Sequence, residues 1–240
     1  MTDLNDPALV ASEYADEARL TARRRVWREF LEGPNSDDWT FDAITERRAR
    51  RALEIGCGWG EMAARVTASI DADVTAFDLS PRMAGLARGR GVRAFVADVQ
   101  RLPFGDQAFD LAWANAVLYH VPDLGRGLTE AARVLTDEGA FIATTFDAGR
   151  FPELFALVGL ESPAISFRAD NGAEILGRHF GNVQIREATH ALVFPNMDEV
   201  RTYLEATITM RHLAGHMPSF EGPFRTERTF AVFVCTDPIR

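Results

Sequence analysis

Three glycines at alternate positions, Gly56, Gly58 and Gly60, follow a short apolar run and a glutamate, Glu54, in the stretch LEIGCGWG. A turn of this kind between a strand and a helix brings backbone up to a ligand where a β-carbon would collide. The helix that follows aims its positive end at the same ligand. Two acids recur at matching places downstream: Asp78 in AFDLS and Asp98 in AFVADVQRLPF. Asp78 is placed to accept hydrogen bonds from both hydroxyls of an unphosphorylated ribose. Asp98 offers an acceptor for an adenine amino group. Glu54, inside the first strand, suits a cationic or amine-bearing ligand better than a pyrophosphate.

The acids suit two nucleoside cofactors, NAD and S-adenosylmethionine, and oppose the 2′-phosphate of NADP. The dinucleotide fingerprint is G-x-G-x-x-G. Here Gly60 comes one residue early and Glu61 stands at the expected glycine position. S-adenosylmethionine carries a sulfonium and an amino group and no phosphate, so acids surround it without penalty. A glycine turn with purely structural duty is the competing reading.

Other reactive residues are sparse. Cys57 and Cys235 make neither a zinc spacing nor a disulfide framework. His212 and His216 lie four apart, a ligand spacing on a helix, but no acid completes a site, so no metal is expected. The net charge of −9 opposes a partner built of phosphate backbone or anionic lipid. Two basic runs, RRRVWR (23–28) and ERRARR (46–51), read as solvated helix faces or helix ends. The N-terminus lacks the basic start and long apolar stretch of a signal peptide, and no run reaches the length of a membrane span. The expectation is a cytoplasmic protein with a small-molecule partner, no nucleic acid and no membrane.

The elements that must position these residues alternate from 51 to about 147. Strands are expected at 51–56, 72–80, 92–98, from 109, and at 140–147. Helices are expected at 61–70, 81–91 and 123–139, the last closing on Gly139. Buried strands alternating with helices mean an α/β fold, a parallel sheet covered on both faces. Ligands in such sheets sit beyond the carboxyl ends of the strands, where the glycine loop, Asp78, Asp98 and Asn115 fall. Residues 1–50 read as a helical N-terminal cap with a loop at GPNSDD. Residues 51–240 read as the core, with an acceptor-side lid or insertion at about 148–181 and 196–220. Late strands are expected near 183–194 and 228–236, and a helix over 197–215.

LEIGCGWG, FDLS, ADVQRLPF, FDLAWANAVLYHV and RVLTDEGAFIATT closely resemble the class I S-adenosylmethionine-dependent methyltransferases. YADEARLTAR (14–23) and 167–187 resemble a bacterial subgroup acting mostly on small molecules. The resemblance implies a Rossmann-like, mostly parallel seven-stranded sheet with an antiparallel last strand. It implies that Glu54, Gly56 and Gly58 line the methionine end of the cofactor. Asp78 holds the ribose, with Leu79 and Met83 against the adenosine. Asp98 and Val99 flank adenine, Asn115 offers its backbone near the methionyl amine, and Tyr14 and Arg23 grip the cofactor carboxylate from the cap.

Methyl transfer from a sulfonium is an in-line displacement, so the enzyme supplies proximity and alignment. A base is needed only for a protonated acceptor. His120, just past the fourth strand, is the candidate base, with structural hydrogen bonding as its other reading. The expected acceptor is an oxygen or nitrogen of a small molecule, with natural-product biosynthesis as a setting; a carbon acceptor stays open. The stretch FPELFALVGL suggests an apolar, partly aromatic acceptor. After the fourth strand the chain reads NAVL, not the N-P-P-Y or D-P-P-Y of nucleic-acid amino methylases. The alternative function is a non-catalytic cofactor-binding regulator or partner.

Overall fold

The computed structural model describes residues 6, 12, 17–147, 151–162, 165–207, 209–219 and 221–240. Tyr14 lies outside these. The cap consists of α1 (Glu17–Phe30), the two-residue β1 (Leu31–Glu32) and α2 (Ser36–Thr45). Asn35 caps α2, its side-chain oxygen accepting from the Asp37 N–H at 2.8 Å, so part of the expected GPNSDD loop is a helix start.

The alternating core follows as β2 (Arg51–Ile55), α3 (Glu61–Ser69), β3 (Asp73–Asp78), α4 (Pro81–Gly89), β4 (Arg93–Val96), β5 (Phe109–Asn115), α5 (Leu124–Val134) and β6 (Leu135–Phe146). The remainder is α6 (Pro152–Ala156), α7 (Ala169–Leu176), β7 (Phe180–Phe194), α8 (Met197–Glu205) and β8 (Phe224–Pro238). The strands form one sheet in the order β1-β7-β8-β6-β5-β2-β3-β4. The pairs β2/β3, β2/β5, β3/β4 and β5/β6 are parallel, and β8 runs antiparallel to both β6 and β7. This is the expected Rossmann-like sheet of seven strands, plus an eighth. The addition is β1, the exit of the cap, whose Leu31 pairs with Leu192.

Strand alternation divides the core between the two faces. Leu53 and Ile55 join a cluster with Leu128, Phe141 and Phe233. Ala52 joins the opposite cluster, with Ile44, Val66, Trp113 and Phe230. A third cluster lies outside the sheet, where Val26 of α1 meets Phe151, Leu154 and Phe155 of the lid with Val200 and Leu204 of α8. Phe151, Leu154 and Phe155 of FPELFALVGL are thus used in packing, while Leu160 is exposed.

Three boundaries differ from expectation. Helix α5 stops at Val134, not Gly139, because Leu135 turns into the sheet opposite Phe109. The β7–β8 hairpin is longer than expected, paired from Phe180↔Pro238 to Phe194↔Phe224, whereas β6 pairs with β8 only as far as Phe146↔Phe230. The hairpin therefore projects past the carboxyl end of β6 and carries the cap. The helix expected over 197–215 breaks after Glu205 and resumes as a 3-10 turn, Arg211–His216.

Candidate active site

The glycine loop leaves β2 with Gly56, Gly58 and Gly60 all at positive φ (68°, 52° and 81°). Packing dictates two of them. A β-carbon at Gly56 would lie 2.4 Å from Val117 Cγ2, and one at Gly60 would lie 2.8 Å from Ala87 Cβ. At Gly58 a β-carbon would meet nothing within 4 Å. The loop thus presents bare backbone to open space at its middle glycine alone.

Two acids hold the loop. Strand alternation puts Glu54 on the face of Ala52, and it is buried. Its Oε2 accepts from the Ala63 N–H at 3.1 Å. Glu54 thereby caps α3 from inside, since the N-cap residue Gly60 has no side chain to do so. Burial pushes its carboxyl up to about 8, with Asp37 and Asp78 adding to the shift; the Trp113 indole and Ala63 N–H oppose it. Asp78 Oδ2 accepts from the Gly58 N–H at 2.9 Å and Oδ1 from the Ser80 N–H at 2.8 Å. Burial also raises its pKa. Each oxygen retains a lone pair for a further donor.

Beside Asp78, Leu79 is an exposed apolar residue at 54%, an open surface that an adenosine would cover. Met83 is buried in the first turn of α4. Asp98 accepts from the backbone and side-chain amides of Gln100 at 2.9 and 3.0 Å. Val99 sits in the core against α5, where a β-carbon on Gly127 would meet it at 3.3 Å. The structure therefore gathers Glu54, Gly56, Gly58, Asp78 and Leu79 at one loop. Met83 and Val99 have their side chains in packing.

The cap meets this loop through residues that sequence reasoning missed. Asp37, in the first turn of α2, accepts from Asn115 Nδ2 at 2.8 Å. Asn115 Oδ1 stays buried and without a partner. On α1, Arg24 reaches the glycine loop. It pairs with Glu61, and its guanidinium lies 4.6 Å from the Trp59 ring centre. Arg90 covers the same ring at 5.4 Å. Burial lowers the Arg24 pKa. Arg23 is half-buried on the same helix. GPNSDD reads as a loop, so nothing local marks Asp37 as a neighbour of Asn115 across 78 residues of chain.

The histidines divide. His120 ends the 3-10 turn Leu118–His120, its ring 4.6 Å from that of Tyr119. His216 Nδ1 bonds the backbone carbonyl of His212 at 2.9 Å, and both histidines are exposed. His190, absent from the sequence reading, is buried under the cap, with Trp27, Phe146 and Phe230 around its ring.

Acids around a bare-backbone loop accept a ligand that is cationic or uncharged and carries hydroxyls. They oppose a pyrophosphate. S-adenosylmethionine fits that donor set and the open space at Gly58.

Comparisons with known proteins agree. Residues 53–143 match the family model described as "Methyltransferase domain". The chain is similar to the malonyl-[acyl-carrier protein] O-methyltransferase of Pseudescherichia vulneris, 39% identical over 121 residues, 50% of this chain and 48% of that one. It is 38% identical to the 27-O-demethylrifamycin SV methyltransferase of Amycolatopsis mediterranei over 39% of this chain and 37% of that one. It is 31% identical to the O-methyltransferase rstn1 of Aspergillus nomiae over 55% of this chain and 72% of that one. The alignments span about half or less of the length of the first two relatives. Among solved structures, the phosphoethanolamine-type N-methyltransferase 2 of Haemonchus contortus superposes with a TM-score of 0.65 at 15% identity, covering 100% of this chain and 61% of that one. The YcgJ protein of Bacillus subtilis gives 0.61 at 16%, covering 84% and 97%. These structural likenesses establish the fold.

Proposed function

The chain belongs to the class I S-adenosylmethionine-dependent methyltransferases, and on that premise we propose that it methylates an oxygen or nitrogen of a small-molecule acceptor. The observation that carries the reading is the glycine loop: positive φ at Gly58, open space where its β-carbon would stand, and Asp78 bonded to its N–H. Glu54, Gly56 and Gly58 would face the methionine end of the cofactor, Asp78 the ribose, and Leu79 and Asp98 the adenine end. Asn115 Oδ1, buried and unpartnered, is an acceptor for the methionyl ammonium. The bound cofactor supplies an activated methyl group on sulfonium. The residues of this chain bind it, orient it and exclude water.

A small acceptor is favoured over nucleic acid by how the basic runs are used. Arg24, Arg25 and Arg28 pair with Glu61, Glu199 and Glu29, and Arg51 pairs with Asp110. These cations are answered within the chain. Among the described residues no helix is long and apolar enough to cross a membrane. A relative named for a rifamycin substrate supports a specialised metabolite as the acceptor.

The test joins calorimetry with S-adenosylhomocysteine, NAD as control, to a screen of small acceptors with methyl-labelled donor. Micromolar binding of S-adenosylhomocysteine alone, followed by labelled product, is expected. Binding with no transfer to any acceptor would favour the regulator reading; NAD binding would overturn the cofactor.

A further inference from the structure

Helix α2 is fixed over the carboxyl ends of β5 and β6 by side chains on one of its faces. Asp37 accepts from Asn115 Nδ2 at 2.8 Å, and Thr40 Oγ1 meets Thr144 Oγ1 at 2.6 Å in a buried contact. Residues at this helical spacing are neighbours on the helix surface. Their partners are neighbours too, since Asn115 and Thr144 lie opposite one another in the β5/β6 register. On the far side of α2, Asp38 pairs with Arg65 of α3 at 2.7 Å. Asp37 is thus held in place, although it is exposed.

The acids near this point differ in what they can offer. Glu54 pairs with Trp113 across β2/β5, and Asn115, two residues on, returns to the same face. Burial pushes the Glu54 carboxyl up to about 8, so at neutral pH it is uncharged. Asp78 is committed on both oxygens to backbone N–H groups of the loop and of Ser80. Asp37 is in contact with water, where a carboxylate carries its charge without the cost of burial. Its field reaches both Glu54 and Arg24, and Arg24 is already paired with Glu61. With Asn115 on Oδ1, the Asp37 carboxylate keeps acceptor positions for a further donor.

We propose that Asp37, carried in by the cap, is the counter-charge for the α-ammonium group of the cofactor, and that it selects a ligand with a free amine over one without. The proposal rests on the methyl-transfer reading and deepens it. A carboxylate only accepts, so the Asn115 atom facing Asp37 is its NH2 group. That contact fixes the amide and turns Oδ1, buried and unpartnered, the other way. Asn115 supplies a neutral acceptor and Asp37 a charged one, and an ammonium has donors for both. The carboxylate adds an attraction to the cation that the amide lacks. A purely structural tie between α2 and the sheet would be served equally well by asparagine at position 37. Recognition of a cation would not.

The test uses the full chain and calorimetry with two probes, S-adenosylhomocysteine and its deamino analogue, in which hydrogen replaces the α-amino group. The wild type should prefer S-adenosylhomocysteine by at least about tenfold, the scale of a hydrogen bond to a charged group. Asp37→Asn keeps the shape of the side chain and an acceptor for Asn115. It should bind S-adenosylhomocysteine about tenfold more weakly and the deamino analogue within about twofold of wild type. Equal binding of the two probes by the wild type, read without any variant, would overturn the proposal. So would unchanged S-adenosylhomocysteine affinity in Asp37→Asn, or an equal loss for both probes, the mark of a structural tie. Absence of S-adenosylhomocysteine binding in the wild type would strike the methyl-transfer reading itself, a distinct failure.

Discussion

At the glycine loop the buried acids have backbone donors of their own: Ala63 N–H for Glu54, and Gly58 and Ser80 N–H for Asp78. Under the cap the buried polar groups lie among aromatic rings and keep atoms in reserve. His190 Nε2 and Asp147 Oδ1 have no partner. In the first region the carboxylates of the loop are held by backbone donors, and Asn115 Oδ1 is the buried acceptor left without one. In the second, aromatic packing against Trp27, Phe146 and Phe230 holds His190 in place.

The largest effect should come from the third cluster. Phe194→Ala empties a fully buried site in the third cluster and should cost about 3–5 kcal/mol by denaturant unfolding. If that cluster and the loop are separate in function, its S-adenosylhomocysteine affinity at low temperature should stay near wild type. A parallel collapse of both would merge the two regions.

Glu54 gives the next effect, and its sign follows from proton counts. A folded pKa of about 8 exceeds the unfolded value of 4.5, so between them the folded state holds more protons. Stability from this group is complete below about pH 4.5 and is lost as pH rises through 8. Glu54→Gln should remove that slope and gain on the order of 3 kcal/mol at pH 9, the scale of a shift of a few units. Cofactor cations favour the carboxylate, so wild-type affinity should rise with pH toward 8 and Glu54→Gln should not follow. Identical pH profiles would remove Glu54 from both roles.

Gly58→Ala sharpens the contrast within the loop. The left-handed backbone should cost about 1–2 kcal/mol in melting experiments, and the new methyl group enters the open space, so binding should weaken as well. Gly56→Ala, driven into Val117, should lose more stability than Gly58→Ala. The reverse order would mean the loop is read wrongly.

The loop was legible in the sequence because its chemistry is local: alternating glycines, a strand before and a helix after, and an acid at the next strand end. Glu54 was visible as an acid, but its work in capping α3 needed the missing Gly60 side chain to be seen in place. The cap was not legible in the same way. Asp37 falls in GPNSDD, which reads as a loop, and His190 is one residue in an alternating strand. Their meaning comes from contacts to Asn115 and Pro34, far away in the chain. Phe151, Leu154 and Phe155 carry the composition of a binding surface, and their burial in the third cluster shows only in the folded chain.

The most direct test of the central claim is a calorimetric titration of S-adenosylhomocysteine into the wild-type chain and into Asp78→Ala. The account predicts one micromolar site in the wild type, weakened in the variant by about 1–3 kcal/mol, the loss expected for ribose hydrogen bonds to a carboxylate. No binding to the wild type, or unchanged affinity in Asp78→Ala, would contradict it.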